Sequence, residues 1–345
     1  MNKIRVAVLG CGSVAQHRHL PEYKQHDHVE IAAVCDIVED RAAKMAQKYG
    51  ARAYTDYLEL LKQEAVDAVS ICTPNYLHAS MTVAALAAGA HVLCEKPMAT
   101  SEAEGLAMIA AAQRSGKTLM IGHNQRFVPS HIKARQLIEA GELGRIYSFR
   151  TTFGHPGPEG WSQDGKDSWF FQKEKAFVGA MGDLGVHKAD LIRFLLQEEI
   201  TEVFSMIKGD AKEYSTVDDN AICLLQTESG IMGTLAASWV YQHEDNGTII
   251  YGEKAILHLE MDPVHPLIIH YAHGEKIKYE LPQIQTNAEG GQSDTHIIAN
   301  FLKTIQGDIQ NPIPGREGLN SLQVILAAVQ SQAVKKLITV QTYQG

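Results

Sequence analysis

The stretch IRVAVLGCGSVAQ, residues 4–16, constrains this chain more than any other. An apolar run enters Gly10-x-Gly12-x-x-Ala15 and continues directly into a helical pattern. A strand that turns through glycines into a helix is the first half of a βαβ unit, and such units build parallel sheets. Each small residue has a separate duty. Gly10 permits the tight turn, Gly12 lets backbone approach a pyrophosphate, and Ala15 allows close helix–strand packing. The helix start favours phosphate through its exposed amides, so Ser13 and Val14 are counted with the glycines as cofactor-binding positions. The next strand pattern ends at Asp36, 21 residues after Ala15, where a carboxylate accepts hydrogen bonds from adenosine ribose hydroxyls. Ile37 follows it, where Ser or Arg would suit a 2′-phosphate. Arg41, one helical turn on, is the group that could hold one. The pattern favours NAD over NADP.

The first 123 residues repeat this grammar. Apolar runs at Ile4–Leu9, Ile31–Cys35, Ala68–Cys72, His91–Cys94 and Leu119–Ile121 alternate with helical patterns over 39–49, 76–88 and 102–114. From residue 124 the grammar changes. Helices are expected over 130–140 and 184–196. Strands succeed strands at Glu202–Ile207, Ala221–Thr227, Met232–Val240, Thr248–Tyr251, Ala255–Glu260 and Leu267–Tyr271, and helices at about 293–306 and 316–335 close the chain. Strands without intervening helices predict an antiparallel sheet. The expected fold is therefore α/β, with a parallel dinucleotide-binding domain over 1–123. A second α/β domain over 124–345 is expected to carry a mostly antiparallel sheet, with its last helices free to pack back on the first domain. A length of 345 residues suits two domains.

Composition narrows the partners. The net charge is −9 and no run of Lys or Arg occurs, so no nucleic-acid surface is expected. No run of 18 apolar residues is present, so no membrane helix is expected, and the N-terminus reads as a first strand and not as a signal peptide. Cys11, Cys35, Cys72, Cys94 and Cys223 form no C-x-x-C pair, which fits a reducing cytoplasm. The sixteen histidines include no H-E-x-x-H, and His17/His19 and His26/His28 stand two apart, so no metal site is expected.

Two further features carry chemistry. Glu95, Lys96 and Pro97 follow an apolar strand at the edge where open α/β sheets bind ligands. They are either solvated loop charges or a functional cluster. An ammonium there can hold an alcohol oxygen and stabilise developing alkoxide. Asp183 and His187, four apart, share a face if the helix is formed from its start. They are either a capping aspartate with a satisfied histidine, or an acid/base pair.

Taken in order, Gly10-x-Gly12-x-x-Ala15, Asp36, Thr73-Pro74-Asn75 with His78, Glu95-Lys96-Pro97 and Gly182-Asp183-Leu184-Gly185-Val186-His187 resemble the Gfo/Idh/MocA oxidoreductases, which include glucose–fructose oxidoreductase and inositol dehydrogenases. The resemblance spans nearly the whole chain. It departs from the family pattern GGGxLxDxGxH at residues 179–182, which read Gly-Ala-Met-Gly, while the Asp–His spacing is kept. The resemblance implies a Rossmann domain followed by an α/β domain on a large, mostly antiparallel sheet, and hydride transfer between nicotinamide and a sugar or cyclitol carbon. It implies Lys96, Asp183 and His187 at the reacting alcohol, with Lys96 also touching cofactor. Thr73, Pro74, Asn75 and His78 are implied to line the cofactor groove, with Asn124 and Arg126 near nicotinamide and substrate. Glu95 faces cofactor or balances charge. Trp161 and Trp169, in the loop 154–171, either suit a sugar's C–H surfaces and hydroxyls or anchor a surface loop in the core, and Tyr241 and His243 are lesser substrate candidates. The resemblance also implies homodimers or homotetramers paired through the sheet. An NADP-dependent or tightly bound cofactor, and a non-catalytic nucleotide sensor, stand as alternatives.

Overall fold

The computed structural model describes residues 3–282 and 294–345. In chain order the first elements are β1 (Ile4–Leu9), α1 (Leu20–Lys24), β2 (Val29–Cys35), α2 (Glu39–Tyr49), β3 (Arg52–Tyr54), α3 (Tyr57–Gln63), β4 (Ala68–Ile71), α4 (His78–Ala87), β5 (His91–Cys94), α5 (Glu102–Ser115) and β6 (Leu119–Ile121). Next come α6 (Pro129–Glu139), β7 (Ile146–Gly154), α7 (Lys173–Ala176), α8 (Val186–Leu196), β8 (Ile200–Lys208), β9 (Asn220–Thr227) and β10 (Met232–Ser238). They are followed by β11 (Thr248–Gly252), β12 (Ala255–Leu259), β13 (Leu267–Tyr271), β14 (Lys276–Tyr279), α9 (Ile297–Gln306), α10 (Gly315–Val334) and β15 (Ile338–Thr339).

These elements form two units. Among the described residues, the first holds those up to Asn124, then Trp161–Trp169, and those from Asp294 to Leu319. Its six strands are all parallel, in the order β3-β2-β1-β4-β5-β6. The order reverses between β1 and β4, and ligands bind at such a switch point. Val6, Val8, Val69, Ile71, Val92 and Leu93 are fully buried, as strands covered on both faces require. The late residues complete this unit. Ile121 N donates to Ile313 O at 3.0 Å, and Asn311 Nδ2 donates to Leu119 O at 2.8 Å, which occupies the outer edge of β6. Glu22 on α1 accepts from Thr295 N at 3.0 Å and Thr295 Oγ1 at 2.8 Å, just ahead of α9.

The second unit is built on nine strands in the order β14-β13-β12-β11-β7-β10-β9-β8-β15. Every pair is antiparallel except β7 with β10. Helix α6 packs on β12 and α8 on β7. The C-terminal part of α10 is tied to β8, where Ser205 N donates to Ser331 Oγ at 3.0 Å and Ser205 Oγ to Ala328 O at 2.6 Å. The opposite face carries Met206, Ile222, Leu224 and Met232, all more than half exposed, while alternate residues Ser205, Cys223, Leu225 and Leu235 are buried. Strand β7, in the middle of this sheet, was not among the expected strands. Its Ser148, Arg150 and Thr152 alternate with Phe149, Thr151 and Phe153, and the buried Thr151 is satisfied by Thr248 Oγ1 at 2.8 Å, so its apolar signal is weak. The helix expected from about residue 293 is described only from Asp294 onward and begins at Ile297.

Candidate active site

In the first unit, strand ends deliver most of the expected residues to one sheet edge. Gly10 has φ +87°, and a Cβ there would lie 2.5 Å from Cys72 O, so only glycine lets β1 turn beside the end of β4. At Gly12 a Cβ would meet nothing within 4 Å, which leaves an open cradle beside the turn. Ser13 and Val14 head the helix that follows. Its next turn, Ala15–His19, is a π-helix, a distortion frequent at functional sites. Asp36 is buried at the end of β2. Its Oδ2 accepts from Cys11 N at 2.8 Å and its Oδ1 from Val38 N at 2.9 Å, so the carboxylate is fixed against the glycine turn. Thr73, Pro74 and Asn75 follow β4, and Asn124 follows β6. Thr73 Oγ1 and Asn124 Oδ1 are buried without a hydrogen-bond partner among the described residues. Unpaired buried polar atoms at this edge, the open turn at Gly12 and the fixed ribose carboxylate fit a dinucleotide.

His78 has another duty. Its Nδ1 lies 2.8 Å from Pro97 O and its Nε2 2.9 Å from Thr73 O, so both ring nitrogens meet backbone carbonyls. Burial lowers its pKa, against those carbonyls, and His78 pins the turn after β4 to the turn after β5. The peptide between Lys96 and Pro97 is cis. Glu95 faces inward and Lys96 is half-buried. Glu95 Oε1 pairs with Arg18 Nη1 at 3.2 Å and His19 Nε2 at 3.0 Å, and its Oε2 accepts from Lys96 N at 3.2 Å. Burial alone would raise the Glu95 carboxyl. The His19 hydrogen bond and the Arg18 and Lys96 charges outweigh it and hold the pKa at about 2. Of the two roles expected for Glu95, the geometry displays charge balance. His19 Nδ1 and Tyr23 Oη both reach Ser70 Oγ, at 3.0 and 2.9 Å, which extends the network into the sheet.

In the second unit, Asp183 and His187 stand on consecutive turns of one continuous helix. Met181–Gly185 is a π-helical turn and α8 follows without a break. Asp218 fixes how that helix begins. Its Oδ1 accepts from Gly179 N at 2.7 Å and its Oδ2 from Met181 N at 2.8 Å, while Asp218 O accepts from Ala180 N at 3.0 Å. A Cβ on Gly179 would lie 1.9 Å from Asp218 O, so glycine is obligatory there, whereas Ala180 fills a variable position of the family pattern and Met181 stands where that pattern has leucine. Asp218→Ala is expected to destabilise the protein by about 1–3 kcal/mol, because two buried amides lose their acceptor. Equilibrium unfolding checks this, and an unchanged midpoint would mean that the helix start is held by other contacts.

Trp239 Nε1 donates to Asp183 Oδ2 at 3.2 Å, and the His187 ring lies 5.8 Å from that of Phe153. His155 stands two residues beyond Phe153 and accepts from Gly157 N through Nδ1 at 2.9 Å, so its neutral ring carries the proton on Nε2. Burial lowers its pKa against the pull of Asp183. Tyr241 packs over Gly154, where a Cβ would strike its ring at 2.2 Å, and His243 is exposed. Arg126 makes a buried two-point ion pair with Asp190, Nε to Oδ2 at 2.8 Å and Nη2 to Oδ1 at 2.7 Å, which ties the segment before α6 to α8. Trp161 and Trp169 bound the segment that belongs to the first unit. Sequence reasoning missed Arg18, His19, His155, Asp218 and Trp239. Only the unusual histidine at 19, close after the glycine turn, offered a signal. Among the described residues, no group of three or more metal-ligating side chains converges, and no helix is long and apolar enough to cross a membrane.

The parallel sheet, its glycine turn and the Asp36 carboxylate define a dinucleotide-binding oxidoreductase fold. Residues 4–123 match the oxidoreductase family with the NAD-binding Rossmann fold, and residues 131–258 match the GFO/IDH/MocA C-terminal domain. The chain belongs to the Gfo/Idh/MocA family of NAD-binding oxidoreductases. It is 27% identical to the 1,5-anhydro-D-fructose reductase of Ensifer adhaerens, over 91% of this chain and 92% of that one. It is 24% identical to the myo-inositol 2-dehydrogenase of Thermotoga maritima, over 99% of this chain and 100% of that one. An oxidoreductase domain protein from Kribbella flavida has the same fold, with a TM-score of 0.86 and 26% identity over 99% of this chain and 100% of that one.

Proposed function

We propose that this protein is an NAD(H)-dependent dehydrogenase that oxidises a secondary alcohol of a sugar, sugar derivative or cyclitol, or reduces the matching ketone. Lys96, Asp183 and His187 are the catalytic residues of this reading. Lys96 holds the alcohol oxygen and stabilises its developing negative charge. His187 takes the hydroxyl proton, a task suited to a side chain that titrates near neutrality. Asp183, held by the Trp239 indole, orients the imidazole or a substrate hydroxyl. Bound nicotinamide supplies the two-electron acceptor. The observation that carries the reading is the Asp183–His187 pair on one rigidly capped helix, since nucleotide sensing needs no acid/base pair. The curated relatives named above support the substrate class.

Gly10, Gly12, Ser13, Val14, Asp36, Thr73, Pro74, Asn75 and Asn124 are proposed to hold the cofactor, with His78 and Glu95 acting through the turns they pin. NAD is favoured over NADP because Asp36 is buried and Ile37 is 90% exposed and offers no phosphate ligand. The test is a panel of sugars and inositols with NAD and NADP, read by nicotinamide absorbance. Turnover with NAD on at least one polyol is expected. Tight nucleotide binding with no turnover in either direction would favour the sensor reading.

The exposed apolar row of Met206, Ile222, Leu224 and Met232 is proposed to pair with a second copy, giving a homodimer or a homotetramer. Sedimentation is expected to find no stable monomer at micromolar concentration, and Ile222→Lys with Leu224→Lys to release one. A monomer of full activity would refute the assembly. All five cysteines are unbridged, which supports a cytoplasmic location.

A further inference from the structure

Trp161–Trp169 interrupts the second unit in sequence yet belongs to the first. Two attachments hold it there. Trp161 O accepts from Ser13 Oγ at 2.8 Å, and Gln163 Nε2 donates to the same hydroxyl at 3.3 Å. Asp164 Oδ1 accepts from Arg41 Nη2 at 2.7 Å, and the other end of that guanidinium, Nη1, lies 3.9 Å from Asp36 Oδ2. Ser13 is part of the glycine turn and Arg41 stands beside the ribose carboxylate. From Trp161 to Asp164 the segment therefore runs from the pyrophosphate end of the cradle to its adenosine end.

The charges add a second consequence. Arg41 is the cation beside Asp36, one helical turn past it on α2, where a guanidinium could meet a 2′-phosphate. Here two carboxylates, Asp36 and Asp164, share that one guanidinium. The surroundings of the ribose hydroxyl are left net negative and the phosphate ligand is already engaged.

We propose that Trp161–Asp164 is a clasp across the bound dinucleotide, and that Asp164, by holding Arg41, is a specificity-determining residue that disfavours NADP. The proposal rests on the NAD reading above and adds residues from outside the Rossmann sequence to it. The clasp slows cofactor release, and its aspartate reinforces a choice that Asp36 makes first.

The experiment measures NADH and NADPH affinity by nucleotide fluorescence, and NADH release by stopped flow, for the parent, Asp164→Ala and Asp164→Asn. Both variants are expected to raise NADPH affinity relative to NADH by about three- to tenfold, since each removes the competing charge from a half-exposed pair. Asp164→Ala is also expected to speed NADH release by about threefold or more, and Asp164→Asn by less, because the amide oxygen still accepts from Arg41. Parent-like release and ratio in both variants would overturn the clasp while leaving the NAD reading intact. Faster and tighter NADH binding by Asp164→Ala would overturn it in another way, by showing that the segment blocks the cradle. A parent protein that prefers NADPH would refute the NAD reading, and the ratios of the variants would still decide the role of Asp164. Binding of neither nucleotide by the parent would overturn both.

Discussion

Lys96→Ala is expected to lower kcat/KM for alcohol oxidation by about 10²–10⁴, with NADH affinity nearly unchanged. The expectation follows from the division of labour at the end of β5. Glu95 turns inward and is committed to Arg18, His19 and the Lys96 amide, which fixes the backbone from which the Lys96 side chain leaves. The ammonium is a half-buried point charge at the ligand edge of the sheet. Removing it takes away stabilisation of a charge that develops only during reaction, so the loss appears in kcat more than in nucleotide binding. Arginine is expected to rescue poorly, since its planar fork cannot reproduce a compact ammonium. Steady-state kinetics paired with NADH titration separates the two effects. Near-normal turnover in Lys96→Ala would reassign Lys96 to structure or cofactor orientation.

The second large effect concerns His187. If it accepts the hydroxyl proton, oxidation rises with pH as the imidazole becomes neutral. A pH profile alone does not name the group that titrates, so comparison of variants is the sharper test. His187→Gln retains hydrogen bonding but cannot keep the proton. It is expected to lose about 10²–10⁴ of the rate at neutral pH and to recover part of it at high pH, where hydroxide substitutes. Asp183→Asn is expected to lose less if Asp183 only orients the ring, and as much if it also holds a substrate hydroxyl. A parent-like rate and profile in His187→Gln would make Lys96 the leading proton acceptor.

The candidate residues that the sequence singles out share a physical cause. Gly10, Asp36, Lys96 and the Asp183–His187 pair stand at the ends of strongly apolar or periodic segments, where a glycine or a charge breaks the pattern. What stayed hidden depends on partners far apart in the chain. Glu95 and its ligands Arg18 and His19 are 77 and 76 residues apart. Trp239 reaches Asp183 over 56 residues, and Asp218 caps a helix start 37 to 39 residues before it. The buried partner of Arg126 was hidden likewise, since its ion pair with Asp190 bridges 64 residues. The attachment of the aromatic loop was hidden for a related reason, since the backbone of Trp161 is bonded to Ser13, 148 residues earlier. Strand β7 was lost for the opposite reason, since its polar alternation hides a central strand.

The edge of β6 has a consequence for how the protein is made. Leu119 leaves the ribosome 192 residues ahead of Asn311, whose side chain bonds to it. At bacterial-type elongation rates that interval is roughly 10–40 s. Throughout it the nascent first unit presents an uncovered edge strand, the kind of surface that recruits other chains. Completion of the outer edge of the first sheet thus waits on residues 311–319. A premature stop before residue 311 would therefore remove more than a tail. It would deprive the earliest-made sheet of its last neighbour, and the defect would appear as aggregation during synthesis.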